Sequence, residues 1–186
     1  MLPKRKRFGA KEIFSIPNIM GYFRILLIPV FCYLFFTADT DRDYLLAAGV
    51  VLISTVTDFL DGWAARTFHM VTELGKFIDP LADKLTHAAL AVCLTFRFPL
   101  MLMIVGIMAV KEGFMAVMGL VKLKSGKKLD GAMWFGKVCT AALFLAMFLL
   151  LLFPSMPMQA ANGMIIACAV IQLFTLAMYI PVFKRM

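Results

Sequence analysis

Four aspartates stand in one short stretch of this chain, at a spacing that could hold a charged ligand. The stretch runs from Asp58 through Asp61 and Asp79 to Asp83. The sequence around it is long and apolar, and a carboxylate in such surroundings is costly unless a cation neutralises it. Four carboxylates together therefore predict bound metal ions, and a metal site inside a membrane protein indicates chemistry.

The spacing predicts that the four carboxylates meet. Asp58 and Asp61 are three residues apart, so they share one face of a helix. Asp79 and Asp83 are four apart and share a face of the next helix. A short connection joins the two helices, whose ends should therefore be neighbours. Carboxylate oxygens are ligands for Mg²⁺ or Mn²⁺, and two such ions about 3.5–4 Å apart could clamp both oxygens of a phosphoryl displacement.

Small and basic residues beside the aspartates fit a ligand that carries phosphate. Gly62 removes a side chain next to Asp61, which would let a bulky ligand approach the backbone. Gly75 can do the same, or can allow the turn into the next helix. Arg66 is predicted to neutralise phosphate oxygens as a fork-shaped donor. An ion or proton transporter that used the carboxylates as a relay would need neither the glycines nor the arginine.

The elements that carry these residues are predicted to be membrane helices. Of the 186 residues, 62% are hydrophobic and 16% are charged, whereas a soluble domain has roughly 45–50% apolar residues. The apolar runs approach the roughly 20 residues that a bilayer requires, and they cover residues 18–37, 44–66, 80–97, 99–121, 134–153 and 160–181. The predicted fold is therefore all-α, with one six-helix transmembrane domain over residues 16–186. A membrane prenyltransferase with DxxxD motifs would need more spans than this chain has room for.

Basic residues determine the predicted orientation. Residues 1–15 are basic and amphipathic, which predicts an interfacial helix on the membrane surface. Lysine and arginine concentrate at both termini and after the second and fourth apolar runs, so both termini are predicted to be cytoplasmic. The charges inside the runs then all fall in the cytoplasmic half of the bilayer, as a single cavity open to the cytoplasm requires. This topology and anionic lipid explain the net charge of +8 better than nucleic acid does.

The motif resembles that of a known enzyme family. Residues 58–83 match the pattern DxxDGxxARx8GxxxDxxxD without a departure, and further similarity covers most of residues 16–140. The pattern is long and specific, and on it the chain is identified as a member of the CDP-alcohol phosphatidyltransferases. The resemblance implies that CDP-diacylglycerol enters from the bilayer, that an acceptor hydroxyl attacks the phosphorus bonded to diacylglycerol, and that CMP departs. It also implies a homodimer with one site per subunit, in a bacterial cytoplasmic membrane.

The resemblance further implies roles for single residues. Asp58, Asp61 and Asp79 would hold two divalent ions per site. Asp83 would be a ligand of one ion and the general base toward the acceptor hydroxyl. Asn18 either shapes the nucleotide pocket or helps to begin the first helix. The residues predicted to bind the nucleotide are Asn18, Asp61, Gly62, Ala65, Arg66 and Gly75.

The acceptor alcohol is predicted to be anionic. The sequence Asp-Pro-x-Ala-Asp-Lys at 79–84 is typical of the branches that use glycerol 3-phosphate or phosphatidylglycerol. Lysines beyond those that the nucleotide needs favour glycerol 3-phosphate. Phosphatidylglycerol, which would give cardiolipin, is the alternative, because Lys111-Glu112 stands where glycerophosphate enzymes have Arg-Glu. Snorkelling to the interface would also explain each of the predicted acceptor-phosphate residues, which are Arg24, Lys76, Lys111 and Lys137.

Overall fold

Every regular element in the described part of the chain is an α-helix. The residues that the computed structural model describes are 15–67, 72, 74–124 and 133–185. The helices within them are α1 Ile16–Phe36, α2 Asp41–Thr67, α3 Gly75–Thr95, α4 Met101–Lys124, α5 Trp134–Leu152 and α6 Met158–Arg185. The all-α class is thereby confirmed. Of the interfacial helix predicted for residues 1–15, all but Ser15 lies outside the described residues.

Five of these helices are long and apolar enough to cross a membrane, as judged over the described ranges. The candidate spans are Asn18–Phe36, Asp41–Trp63, Met101–Val121, Trp134–Leu152 and Met158–Phe183. The remaining helix, α3, lies where a third span is predicted, but Asp79, Asp83 and Lys84 place charges in its first half. An integral membrane protein is consistent with this pattern.

The outward faces of the helices are apolar. Phe59 of α2 is 69% exposed and Leu102 of α4 is 67% exposed. Large apolar side chains exposed in this number would be unfavourable in water. Acyl chains are as apolar as leucine, so the same surface is compatible with the interior of a bilayer.

The Asp43 side chain caps the start of α2. The backbone N–H of Thr40, the residue before the helix, donates to the Asp43 carboxylate at 2.8 Å, and the Thr40 hydroxyl donates to the same oxygen at 2.8 Å. Asp41 and Asp43 also place negative charge in the first turn, where the helix dipole favours it. These polar residues explain why α2 begins at Asp41, before the apolar run that begins at 44.

The chain divides into two compact units, with the boundary inside α3. One unit ends at Ala89 and the other begins at Leu90. In the first unit, α1 and α2 pack along each other. Its buried apolar core includes Phe31 on α1 and the small residues Ala47 and Ala48 on α2. Small side chains let membrane helices approach closely.

In the second unit, α6 packs against both α4 and α5. Its aromatic cluster consists of Phe135, Tyr179 and Phe183, all of them buried. Arg97, which follows α3, donates from Nε at 3.1 Å and from a terminal nitrogen at 2.8 Å to the carbonyl of Pro154, which follows α5. Two connections of the unit are thereby joined at one end of its helices.

Candidate active site

Three of the predicted aspartates converge on one guanidinium. Arg24 of α1 is only 2% exposed. One terminal nitrogen donates to Asp58 Oδ1, and the other donates to Asp61 Oδ2 at 2.8 Å and to Asp79 Oδ1 at 3.1 Å. Asp58 and Asp61 belong to α2 and Asp79 belongs to α3. One side chain therefore joins all three helices of the first unit.

The three carboxylates differ in access. The side chain of Asp61 is 3% exposed, whereas that of Asp58 is 50% exposed and that of Asp79 is 41% exposed. Asp61 thus lies at the base of the cluster, and the other two lie at its opening. A ligand that enters the cluster would meet Asp58 and Asp79 first.

Gly21 allows α1 and α3 to approach at this point. A Cβ on Gly21 would lie 2.6 Å from Ile78 Cγ2 and 3.5 Å from Asp79 Oδ1. Because Arg24 is one turn further along α1, the same close approach places its guanidinium beside Asp79. Sequence reasoning missed Gly21; a glycine one turn from a membrane-embedded arginine was the signal available.

Asn18 and Thr72 hold the start of α3. Asn18 is fully buried, and the Thr72 hydroxyl donates to its Oδ1 at 2.9 Å. The Thr72 oxygen also accepts the Gly75 N–H at 2.9 Å, which satisfies an amide at the helix start. A Cβ on Gly75 would lie 2.8 Å from Asn18 Oδ1. The protein's own side chains therefore require glycine here, and the nucleotide-binding roles of Asn18 and Gly75 stay predictions. Thr72 was missed from the sequence, although a threonine shortly before a helix is a capping signal.

Asp83 lies one turn further along α3 and contacts His87. The Nδ1 atom of buried His87 lies 2.8 Å from the Asp83 carbonyl oxygen and 3.2 Å from Asp83 Oδ1. A carbonyl oxygen only accepts hydrogen bonds, so Nδ1 carries the hydrogen. His87 thus helps to orient the Asp83 carboxylate. It was not identified from the sequence, where a histidine one turn after a motif aspartate was the signal.

The aspartates fit a divalent cation by their chemistry. Within the described ranges, no three Asp, Glu, His or Cys side chains form a ready metal cage. Asp58, Asp61 and Asp79 instead surround a positive group, which is the arrangement that a hard cation needs. These three would hold such an ion, with Asp83 nearby on α3. The metal-binding roles stay predictions.

The other predicted residues are distributed over both units. Gly62 follows Asp61 in α2. In the second unit, Lys111 is 7% exposed and its Nζ lies 3.6 Å from Glu112 Oε1, while Lys137 is exposed. The predicted residues whose side chains lie outside the described set are Ala65, Arg66 and Lys76.

Comparisons with known proteins give a consistent result. The family model described as CDP-alcohol phosphatidyltransferase matches residues 14–178. Similar proteins include two named "CDP-diacylglycerol--glycerol-3-phosphate 3-phosphatidyltransferase", from Escherichia coli (strain K12) and Shigella sonnei (strain Ss046). Each is 30% identical over 171 residues, which cover 90% of this chain and 93% of the relative. A protein of the same name from Shigella flexneri serotype 5b (strain 8401) is 29% identical over the same length.

Proposed function

The chain belongs to the CDP-alcohol phosphatidyltransferase family, and on that premise we propose that it transfers a phosphatidyl group from CDP-diacylglycerol to glycerol 3-phosphate. The products would be CMP and phosphatidylglycerophosphate. The chain is a transferase of phospholipid synthesis, and the printed name of its relatives supports glycerol 3-phosphate as the acceptor. The observation that carries the proposal is the convergence of Asp58, Asp61 and Asp79 on a single point.

The residues of the first unit support a phosphoryl transfer. Asp58, Asp61 and Asp79 would hold the divalent cations, which when bound would stabilise charge on the phosphate oxygens. Asp83 would accept the proton of the acceptor hydroxyl, and His87 contacts its carboxylate at 3.2 Å. The acceptor oxygen forms a bond to the phosphorus bonded to diacylglycerol. The bond from that phosphorus to the oxygen retained by CMP breaks, and the proton resides on an Asp83 oxygen.

An apolar crevice near the charged residues supports a lipid substrate. Its lining includes Leu27, one turn beyond Arg24; Ser54, one turn before Asp58; and Thr86, one turn after Asp83. Other lining side chains are apolar. A substrate with a charged head and an apolar body fits a charged cluster that lies next to an apolar crevice.

We also propose the topology that the basic residues predict. In it α3 is a sixth crossing, whose charged first half is covered by α1 at Gly21 and Arg24. Both termini and the site lie on the cytoplasmic side of a bacterial cytoplasmic membrane. Cysteine labelling from each side of the membrane, at positions near Lys11 and Ser155, would test this orientation.

A homodimer is part of the same proposal. Gly106, Gly113 and Gly119 of α4 each leave space beside the helix, because a Cβ at each would meet nothing within 4 Å among the described residues. Cross-linking in native membranes should therefore yield a dimer. A product that is only monomeric would contradict it.

The proposed reaction is tested with purified protein, CDP-diacylglycerol and two acceptors. We expect CMP release with glycerol 3-phosphate, its loss in excess chelator, and its return on addition of Mg²⁺ or Mn²⁺, because unneutralised carboxylates repel one another. Full activity in chelator would contradict the metal requirement. If the phosphatidyl group is transferred only to phosphatidylglycerol, the acceptor is the alternative that Lys111-Glu112 favours. The reaction type would then still stand.

A further inference from the structure

We infer that Arg24 is the protein's own counter-ion for the aspartate site, and that it competes with divalent cations for the same carboxylates. When no cation is bound, Arg24 would hold the three aspartates together, and it would release them when cations bind. The inference rests on the proposed function, because it takes a cation-dependent site as its premise. It adds a step that precedes any contact between Arg24 and the phosphate of an acceptor.

The first support is the position of the guanidinium. Its two terminal nitrogens contact Asp58, Asp61 and Asp79, which are the carboxylates proposed to hold the cations. Hydrogen bonds between ionised groups are strong ones, and a carboxylate oxygen that accepts from Arg24 is less available to a metal ion. The guanidinium and a cation therefore cannot both have full use of these oxygens.

The second support is the balance of charge. Arg24 brings one positive charge to three carboxylates, and among the described side chains it is the cation that contacts all three. Uncompensated negative charge in a largely apolar helix bundle is costly. The cluster held by Arg24 therefore still attracts further positive charge, which a divalent ion supplies.

The third support is that Arg24 is incompletely satisfied. Its Nε is buried and has no hydrogen-bond partner in the described part of the chain. Such an atom adds a desolvation cost that only the contacts to the carboxylates offset. Arg97 differs, because its Nε and a terminal nitrogen both donate to a backbone carbonyl. A backbone carbonyl is not among the carboxylates proposed to bind the cations, so these bonds should not depend on cation binding.

Release from the carboxylates has a consequence for the substrate. A guanidinium freed from Asp58 and Asp79, the two exposed members of the cluster, presents its donors at the opening of the site. Its planar fork then suits a phosphate oxygen pair. Arg24 would therefore bind the acceptor phosphate only after the cations have bound.

The test measures cation binding and stability without substrate. Mn²⁺ binding to the purified full-length protein is followed by electron paramagnetic resonance, and the unfolding midpoint is measured in chelator and in excess Mg²⁺. We expect Arg24→Met to tighten the Mn²⁺ dissociation constant by about 5-fold or more. It should lower the midpoint in chelator by about 4 °C or more, and by less in Mg²⁺.

Two further variants separate competition from packing. Arg24→Lys keeps one charge but cannot bridge three carboxylates, so its Mn²⁺ affinity should lie between those of the wild type and Arg24→Met. This variant also carries the test if Arg24→Met fails to fold. Arg97→Met is the matched control, and it should lower the midpoint equally in chelator and in Mg²⁺ without changing Mn²⁺ affinity.

Unchanged or weaker Mn²⁺ affinity in both Arg24 variants overturns the inference alone. Equal losses of midpoint in chelator and in Mg²⁺ for Arg24→Met would also overturn it, since they would show a packing role. If the wild type binds no Mn²⁺ and releases CMP in chelator, the metal part of the proposed function fails together with the inference.

Discussion

The two units of the molecule bury polar side chains in different ways. In the first unit, buried Asn18, Arg24 and Asp61 contact side chains from other segments of the chain. In the second unit, Lys111 is paired with its own neighbour Glu112, and both amide atoms of buried Gln172 have no hydrogen-bond partner within the described ranges.

Aromatic rings pack between the helices of the second unit. The rings of Phe135 and Tyr179 have centroids 4.8 Å apart, and those of Phe114 and Phe183 have centroids 5.8 Å apart. Ring contacts of this kind contribute beyond the burial of apolar area. Added cations or chelators should therefore act on the first unit, where Arg24 and the aspartates join the helices, and should leave the second unit unchanged.

The largest expected effect comes from replacing the proposed general base of the first unit. Asp83→Asn keeps the shape of the side chain but cannot take up a proton, so CMP release should fall about 10²–10⁴-fold, with nucleotide binding partly kept. Asp61→Ala removes the most buried carboxylate and should lose cation and nucleotide binding together. Turnover assays with equilibrium binding of a cytidine nucleotide measure both. Asp41→Asn, at the opposite end of α2, is the control, and near-normal turnover in Asp83→Asn would remove Asp83 as the base.

A smaller change tests the close approach that brings the charges together. Gly21→Ala places a methyl group against Ile78 Cγ2 and should lower the free energy of unfolding by about 1–3 kcal/mol. CMP release should fall as well, because α3 and its Asp79 are displaced from the aspartates of α2. Ile78→Ala in the same chain should restore part of both.

The matched control for Gly21→Ala is Gly49→Ala in α2, where an added Cβ meets nothing within 4 Å among the described residues. Its stability and activity should stay near those of the wild type. If the two variants behave alike in thermal unfolding and in CMP release, the contact between α1 and α3 is not what positions the site.

The smallest expected effect on activity comes from the equivalent change in the second unit. A Cβ on Gly136 would lie well within 3.0 Å of the Tyr179 hydroxyl, so Gly136→Ala should cost about 1–3 kcal/mol of stability. The loss should be the same in chelator and in Mg²⁺, and Tyr179→Phe should recover part of it. Gly163→Ala is the control. If the loss of stability in Gly136→Ala differed between chelator and Mg²⁺, the second unit would also depend on cations, contrary to the difference between the units described above.

The helices were predictable because the signal for them is local. Each apolar run near the length of a bilayer crossing became a helix, and the predicted and observed bounds differ by a few residues. The third helix begins at Gly75 rather than at residue 80. Hydropathy does not register its first turn, which is charged and is held by Thr72.

The candidate site was predictable in part. The helical spacing placed Asp58 with Asp61 and Asp79 with Asp83, and the long motif identified the family, which the family model supports independently. The structure adds that Asp83 contacts His87 rather than Arg24. Which partner each aspartate contacts depends on the rotamers that the packed helices permit, and the spacing of residues along the chain does not predict those rotamers.

The helical class, the apolar character and the family could all be read along the chain, because run length, helical periodicity and motif spacing do not depend on how the helices pack. Helix packing made Arg24, 34 residues before Asp58, the partner of three aspartates. It also decided that Gly21 and Gly75 are required by Ile78 and Asn18. These contacts depend on the register between helices, and residues within one helix do not set that register.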